Sequence, residues 1–306
     1  MGQPAFRDSS MDGCHAFACE SVRPRQEHAF RAARKHGTHQ NMCHGTLAAL
    51  AAALLLAGLV LSGCDRGTDG GASQRTLLLY CGAGMRPAAA DAADAFHAET
   101  GVTVQSDYAG SGELISRIKL IRQGDLYMPG DVWYLDELAR QEDLVESRRR
   151  VTYFVPAIVV AKGNPANVRG LADLARPGVR VALGDPRACQ IGRITQEIFA
   201  KNGIDAAAVE KNTVLTSVTV NELCVWIQTK RVDATVAWDA VAAQFSGSAD
   251  VVPIPPGENI ISNVAIGVLK CSQDKALAQQ FADFLAGPKG QAIFAKHHYR
   301  VTTPQE

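Results

Sequence analysis

Twice along this chain a short strand-like segment rich in apolar residues leads through a small-residue turn into a segment of helical period. That repeated order restricts the chain to folds built on parallel strands. The first unit runs from Thr76 to Tyr80 as a strand, turns through Cys81 to Met85, and continues as a helix over Pro87 to Glu99. Proline in the first turn and Gly101 past the end mark that helix, and a strand from Val102 to Asp107 follows. The second unit is a strand at Val179 to Leu183, a turn from Gly184 to Gly192, and a helix bearing Ile194, Ile198 and Phe199 that Asn202 and Gly203 stop. Further helices are predicted where Leu114, Ile115, Ile118 and Ile121, and then Val220, Leu223, Cys224 and Ile227, recur at helical spacing, with Ser111 as a natural N-cap for the former. Strands are predicted at Ala157 to Ala161, Thr235 to Trp238 and Val264 to Leu269, and a helix at Ala276 to Leu285. Strands alternating with helices give an α/β class with parallel sheets, and two such units joined near Val151 to Pro156 give two lobes.

Ahead of this pattern, Thr46 to Ser62 is an uncharged, Ala/Leu-rich run that ends in Leu61-Ser62-Gly63-Cys64. A retained membrane helix would need about 20 apolar residues. The run is slightly short for that and ends at the small residues a signal peptidase requires, so a cleaved signal is expected. The tetrapeptide resembles the bacterial lipobox, which implies cleavage before Cys64 and lipidation of its thiol. Two or more acyl chains would anchor the protein stably. Residues 1–63 are then an N-terminal extension and signal, with Met1, Met11 or Met42 as the start. Residues 64–75, polar and Gly-rich, form a tether. Histidines 15, 28, 36, 39 and 44 all precede the cleavage site, so no metal centre is built from them.

The balance of charge is even, 31 Lys and Arg against 31 Asp and Glu, which gives no basic surface for nucleic acid. Beyond Cys64 the cysteines are Cys81, Cys189, Cys224 and Cys271, in spacings that match no zinc pattern. Cys81 and Cys189 occupy corresponding turns. They could bind a soft metal, bridge the cleft as a disulfide, or simply pack as small apolar residues. Cys224 falls on an apolar helical stripe. No cofactor and no metal are expected.

Three small-residue turns precede helices: Gly82-Ala83-Gly84, Gly110-Ser111-Gly112 and Ala188 to Gly192. Any one of them could be no more than a sharp connection. Together, at the carboxyl ends of strands in an open α/β sheet, they suit a ligand, and helix N-termini there suit an anion. Arg86, Arg187 and Arg193 border the same turns and could pair with an anion or lie on solvated helix faces.

Residues 77–118, LLLYCGAGMRPAAADAADAFHAETGVTVQSDYAGSGELISRI, resemble the amino-terminal half of periplasmic molybdate- and tungstate-binding proteins. GDLYMPGD at 124–131, GNP at 163–165, VALGDPRACQIGR at 181–193, VDATVAWDA at 232–240 and FADFLAGPKGQAIFAKHHY at 281–299 extend the resemblance in order. It implies a two-lobed type II periplasmic-binding fold with a ligand cleft between lobes. Lobe 1 would take residues 76–155 plus about 255–306, and lobe 2 about 156–254. It implies ligand contacts from Gly82, Ala83, Gly84, Met85 and Arg86 in the first turn, with Ser111 as the best-matching donor. Further contacts would come from Cys189, Gln190, Ile191, Val220, Asn221 and Trp238. Two departures from the family pattern bear on specificity: Gly84 stands where a serine is common, and Trp238 where a tyrosine is common.

The implied function is capture of a small anionic solute, molybdate- or tungstate-like, by a monomeric, lipid-anchored protein outside the cytoplasm that delivers it to an ABC permease and ATPase. Another anion, such as a phosphonate or small carboxylate, and an adhesin or sensor of the same fold are the alternatives. An enzyme is not expected, because Ser111 has no evident histidine partner in the sequence.

Overall fold

The computed structural model describes residues 75–304. The extension, the apolar run, Cys64 and nearly all of the tether lie outside the described residues. Among the described residues no helix is long and apolar enough to cross a membrane.

The chain builds two five-stranded mixed sheets. The first is formed by β1 (Thr76–Gly82), β2 (Thr103–Ala109), β3 (Leu126–Met128), β4 (Val145–Phe154) and β10 (Ser262–Leu269), in the order β2-β1-β3-β10-β4. β1 pairs in parallel with β2 and β3, and β10 runs antiparallel to both β3 and β4. The second contains β5 (Pro156–Ala161), β6 (Val181–Gly184), β7 (Thr213–Ser217), β8 (Ala234–Trp238) and β9 (Ala249–Pro253), in the order β7-β6-β8-β5-β9. β6 is parallel to β7 and β8, whereas β5 is antiparallel to β8 and β9. β5 and β8 are buried along their whole length, as expected of central strands covered on both faces.

Helices follow the parallel strands. α1 (Arg86–Thr100) buries Ala88, Ala89, Ala92 and Ala93, whose small side chains let the helix approach its sheet, together with Phe96, and Gly101 ends it at φ 70°. α2 (Ser111–Ile121) and α3 (Trp133–Glu142) pack on the first sheet. α4 (Gln190–Lys201), α5 (Ala206–Asn212), α6 (Val220–Gln228) and α7 (Asp239–Ala243) belong to the second. The chain then returns, and α8 (Lys275–Ala286) and α9 (Pro288–Lys296) pack on α1 and β4, where Phe96, Phe281 and Phe284 form an aromatic cluster.

The chain crosses between the sheets at Val155, which separates β4 from β5, and again between β9 and β10. Both crossings are tied down. The Asp239 N–H donates to the Val155 carbonyl at 2.9 Å, and the Asn259 amide donates to the Pro156 carbonyl at 2.8 Å. Short, bonded crossings of this kind act as hinges for rigid lobes.

One expectation needs correction. Ser111 is not the N-cap of α2. Gly110 holds that position in extended conformation, and Ser111 is the first helical residue with its side chain turned inward.

Candidate functional site

The ends of the parallel strands converge on a small cavity. Gly82, Ala83 and Gly84 line it from the 3-10 turn Ala83–Met85 that leads into α1, and Ser111 lines it from the start of α2. From the second sheet come Cys189, Gln190 and Ile191 at the start of α4, and Thr219 and Val220 at the start of α6. Phe154 and Trp238 lie against each other, rings parallel and 4.5 Å apart, and complete the wall.

The N-termini of α2, α4 and α6, and the 3-10 turn ahead of α1, therefore point into one small space. None of their cap residues, Gly82, Gly110, Cys189 and Thr219, makes a side-chain capping bond. Side-chain caps do occur elsewhere, from Asp205 on α5 and Asp274 on α8, although α3 and α9, which do not line the cavity, also lack them. The leading N–H groups of a helix have no intrahelical acceptor and carry the positive end of its dipole. Left without side-chain caps around a common cavity, they form a set of donors without a mobile cation. Among the described residues no Lys, Arg, His, Asp or Glu lines the space.

Ser111 and Thr219 bring aliphatic hydroxyls to this wall, and Ser111 is 3% exposed. The Ser111 Oγ accepts the Gly130 N–H at 2.9 Å, while the Tyr127 hydroxyl donates to the Ser111 carbonyl at 2.8 Å. With Oγ already accepting from the backbone, its proton is free to be donated into the cavity.

Residues named from the sequence divide as follows. Gly82, Ala83, Gly84, Ser111, Cys189, Gln190, Ile191, Val220 and Trp238 are brought together around the cavity. Met85 is not, because it is fully buried in the hydrophobic core. Arg86 is not either: it is exposed, and its guanidinium sits 4.3 Å over the Tyr108 ring, a cation–π contact that holds it away from the cavity. Asn221 lies one residue inside α6 and does not line the space; its side-chain oxygen is buried without a protein partner. Arg187 extends into solvent, its side chain 90% exposed beside Asp185. Ala109, Gly110, Gly130, Phe154 and Thr219 line the cavity without having been singled out as contacts.

Both cysteine turns are buried, and both thiols are free. Desolvation raises the Cys81 thiol far above its ordinary pKa and pushes that of Cys189 up to about 11. Neither is a thiolate at neutral pH, so neither is a ready soft-metal ligand. Among the described residues no group of histidine, cysteine and carboxylate side chains could hold a metal ion.

The two lobes touch across the cavity. The Gly112 N–H donates to the Ala188 carbonyl at 2.9 Å. A Cβ on Gly112 would lie 1.9 Å from the Arg187 carbonyl oxygen, and one on Gly110 would lie 2.4 Å from that of Ala188. The glycines of this turn are thus required for backbone to meet backbone, which is a closed cleft.

Residues 77–300 match the family model of bacterial extracellular solute-binding proteins. The chain belongs to that family. Among its relatives, the molybdate-binding protein of Mycobacterium tuberculosis is 28% identical over 254 residues, covering 81% of this chain and 95% of the relative. The periplasmic molybdate-binding protein of Azotobacter vinelandii shares the fold at a TM-score of 0.61 and 21% identity, over 75% of this chain and all of that one. The sulfate-binding protein SubI of M. tuberculosis does so at 0.64 and 19%, over 75% and 88%. This solute-binding protein accordingly has the two-lobed type II periplasmic-binding fold, one five-stranded sheet in each lobe with the cleft between them.

Proposed function

We infer that this solute-binding protein captures a small, fully ionised tetrahedral oxyanion of the molybdate and tungstate class and delivers it to an ABC permease and ATPase. The observation that carries the reading is the convergence of three α-helix N-termini and a 3-10 turn on a cavity that, among the described residues, is lined by no charged side chain. Such a site neutralises an anion through fixed N–H dipoles and a serine hydroxyl, with no covalent step. The molybdate- and sulfate-binding relatives support the same ligand class.

The placement of the arginines favours an inorganic oxyanion over a phosphonate or small carboxylate. Arg86 is stacked on Tyr108 and Arg187 is in solvent, so neither offers its planar fork to a carboxylate in the cavity. A wall that supplies donors also favours a dianion without a proton, because a bound O–H would need an acceptor and would be left unpaired. The assigned lobes are residues 76–155 with about 255–306, and about 156–254. The protein works as a monomer, held outside the cytoplasm by lipid on Cys64.

Thermal melting of residues 74–306 with molybdate, tungstate, sulfate, phosphate, a phosphonate and a small carboxylate tests the reading, since a ligand that binds the native state raises its stability by mass action. The first three are expected to raise the midpoint at neutral pH more than phosphate does. No shift with any member would remove the anion assignment. Ser111→Ala should weaken the response and His97→Ala should not, because His97 bonds to the Val102 carbonyl at the far end of α1. Labelled palmitate that fails to attach to the full chain would remove the lipid anchor.

A further inference from the structure

At the rim of the cavity, one cluster of side chains bridges the lobes and reaches the cavity wall only through Gln190. Trp133 opens α3 in the first lobe and is 42% exposed, unusual for so large a ring beside a cleft. Arg193, on α4 of the second lobe, places its guanidinium carbon 4.6 Å from the Trp133 ring centroid. The same guanidinium donates from Nε to the Gln190 side-chain oxygen at 3.0 Å and is held on its other side by Glu197. Gln190 then donates from Nε2 to the Ser262 hydroxyl, 3.1 Å away and back in the first lobe.

We propose that Trp133 and Arg193 form a latch that holds the cleft closed, and that Arg193 positions Gln190 at the ligand cavity while it does so. Opening about Val155 and the second crossing separates the ring from the guanidinium and Gln190 from Ser262, since each pair has one member in each lobe. These contacts therefore exist only in the closed state, and a contact confined to one state shifts the equilibrium toward it. Its effect falls on opening and release more than on encounter, because an anion enters the cleft before the latch forms. Arg193 is already fixed by Gln190 and Glu197, so little ordering is required of it when the ring arrives.

The magnitude follows from the interaction. A cation–π contact of this exposure is expected to change opening by about 3- to 30-fold. The Gly112 N–H is the direct reporter, because it donates to the Ala188 carbonyl across the cleft.

The test is amide hydrogen exchange on ligand-free residues 74–306, which does not depend on the anion assignment. Trp133→Leu and Arg193→Gln should each accelerate exchange at Gly112 by that factor and leave the central strands β5 and β8 unchanged. Trp133→Tyr should restore part of the protection, and the double variant should be no faster than either single one. Unchanged exchange at Gly112 in Trp133→Leu, or equal acceleration in β5 and β8, overturns the latch. Stopped-flow release of molybdate is the second readout, with faster release and an association rate within about twofold of wild type expected. If exchange accelerates but wild type binds no molybdate, the latch stands and the anion reading falls.

Discussion

The Tyr299 hydroxyl donates to the Gly84 carbonyl, joining the segment that follows α9 to the first turn of the cavity, 215 residues earlier. Tyr299 is itself held by Phe154 and Phe294, and Phe154 carries the Trp238 ring of the other lobe. Burial raises the phenol well above its ordinary pKa, so it remains a donor throughout the physiological range. The C-terminal segment therefore fixes the orientation of the turn that lines the cavity.

Tyr299→Phe keeps the ring and deletes the donor, which leaves the Gly84 carbonyl without its recorded partner. Such a loss costs about 1–3 kcal/mol, and each kcal/mol lowers the melting midpoint of a domain this size by roughly 2–4 °C. Anion affinity should fall as well, because the 83–84 turn gains freedom. Melting and calorimetric titration together check this; a lower midpoint with unchanged affinity would mean that the bond supports the fold and not the site.

Gly112→Ala separates folding from closure. The added Cβ meets the Arg187 carbonyl oxygen at 1.9 Å and its carbon at 2.9 Å, both backbone atoms that cannot rotate aside. That clash exists only when the lobes meet. In an open molecule alanine is the better helix residue, by up to about 1 kcal/mol. The ligand-free midpoint should therefore hold or rise, while the stabilisation by anion seen in wild type disappears. Small-angle scattering should find the variant in an open form with or without ligand.

The sequence was most readable where burial on both faces leaves an uninterrupted apolar run, as in β5, or where a cap marks a boundary, as Pro87 and Gly101 do for α1. It was unreadable along β4, whose Arg148, Arg149 and Arg150 are exposed on an edge strand and carry no apolar alternation. Phe154, at the end of that strand, was missed as a cavity residue for the same reason. Arg86 misled in the opposite sense. Its position beside the turn is correct, but a neighbouring ring, Tyr108, brought near by the pairing of β2 with β1, turns it away. The role of Gly110 and Gly112 in lobe contact was also beyond sequence, because the backbone they meet lies more than 70 residues on.

The pH dependence of stability has a specific source in the second lobe. Asp233 accepts the Arg180 N–H at 2.8 Å and its guanidinium at 2.7 Å, and hydrogen bonding to that guanidinium lowers the carboxyl pKa. A carboxylate with a lowered native pKa stabilises the fold above its unfolded value, about 3.9, and the contribution is lost as pH falls through the native value. Asp233→Asn should thus lower the midpoint at pH 7, and the difference from wild type should vanish under strongly acidic conditions. A deficit of equal size at pH 7 and in acid would place the effect in packing instead of charge.

Thiol reactivity gives a final check on how the cavity is built. Cys81, Cys189 and Cys224 are buried, and desolvation pushes the last of these up to about 12, so none presents a thiolate to a reagent at neutral pH. Cys271 is half-buried and donates only weakly to the Gly124 carbonyl at 3.4 Å. In native residues 74–306, a disulfide reagent should modify Cys271 first, and the other three should follow only at the rate of unfolding. A reducing agent should leave the midpoint unchanged, since all four thiols are free. Early modification of Cys189 in ligand-free protein, suppressed by molybdate, would instead show that its turn is exposed whenever the cleft opens, and would make that thiol a chemical probe of the closed state.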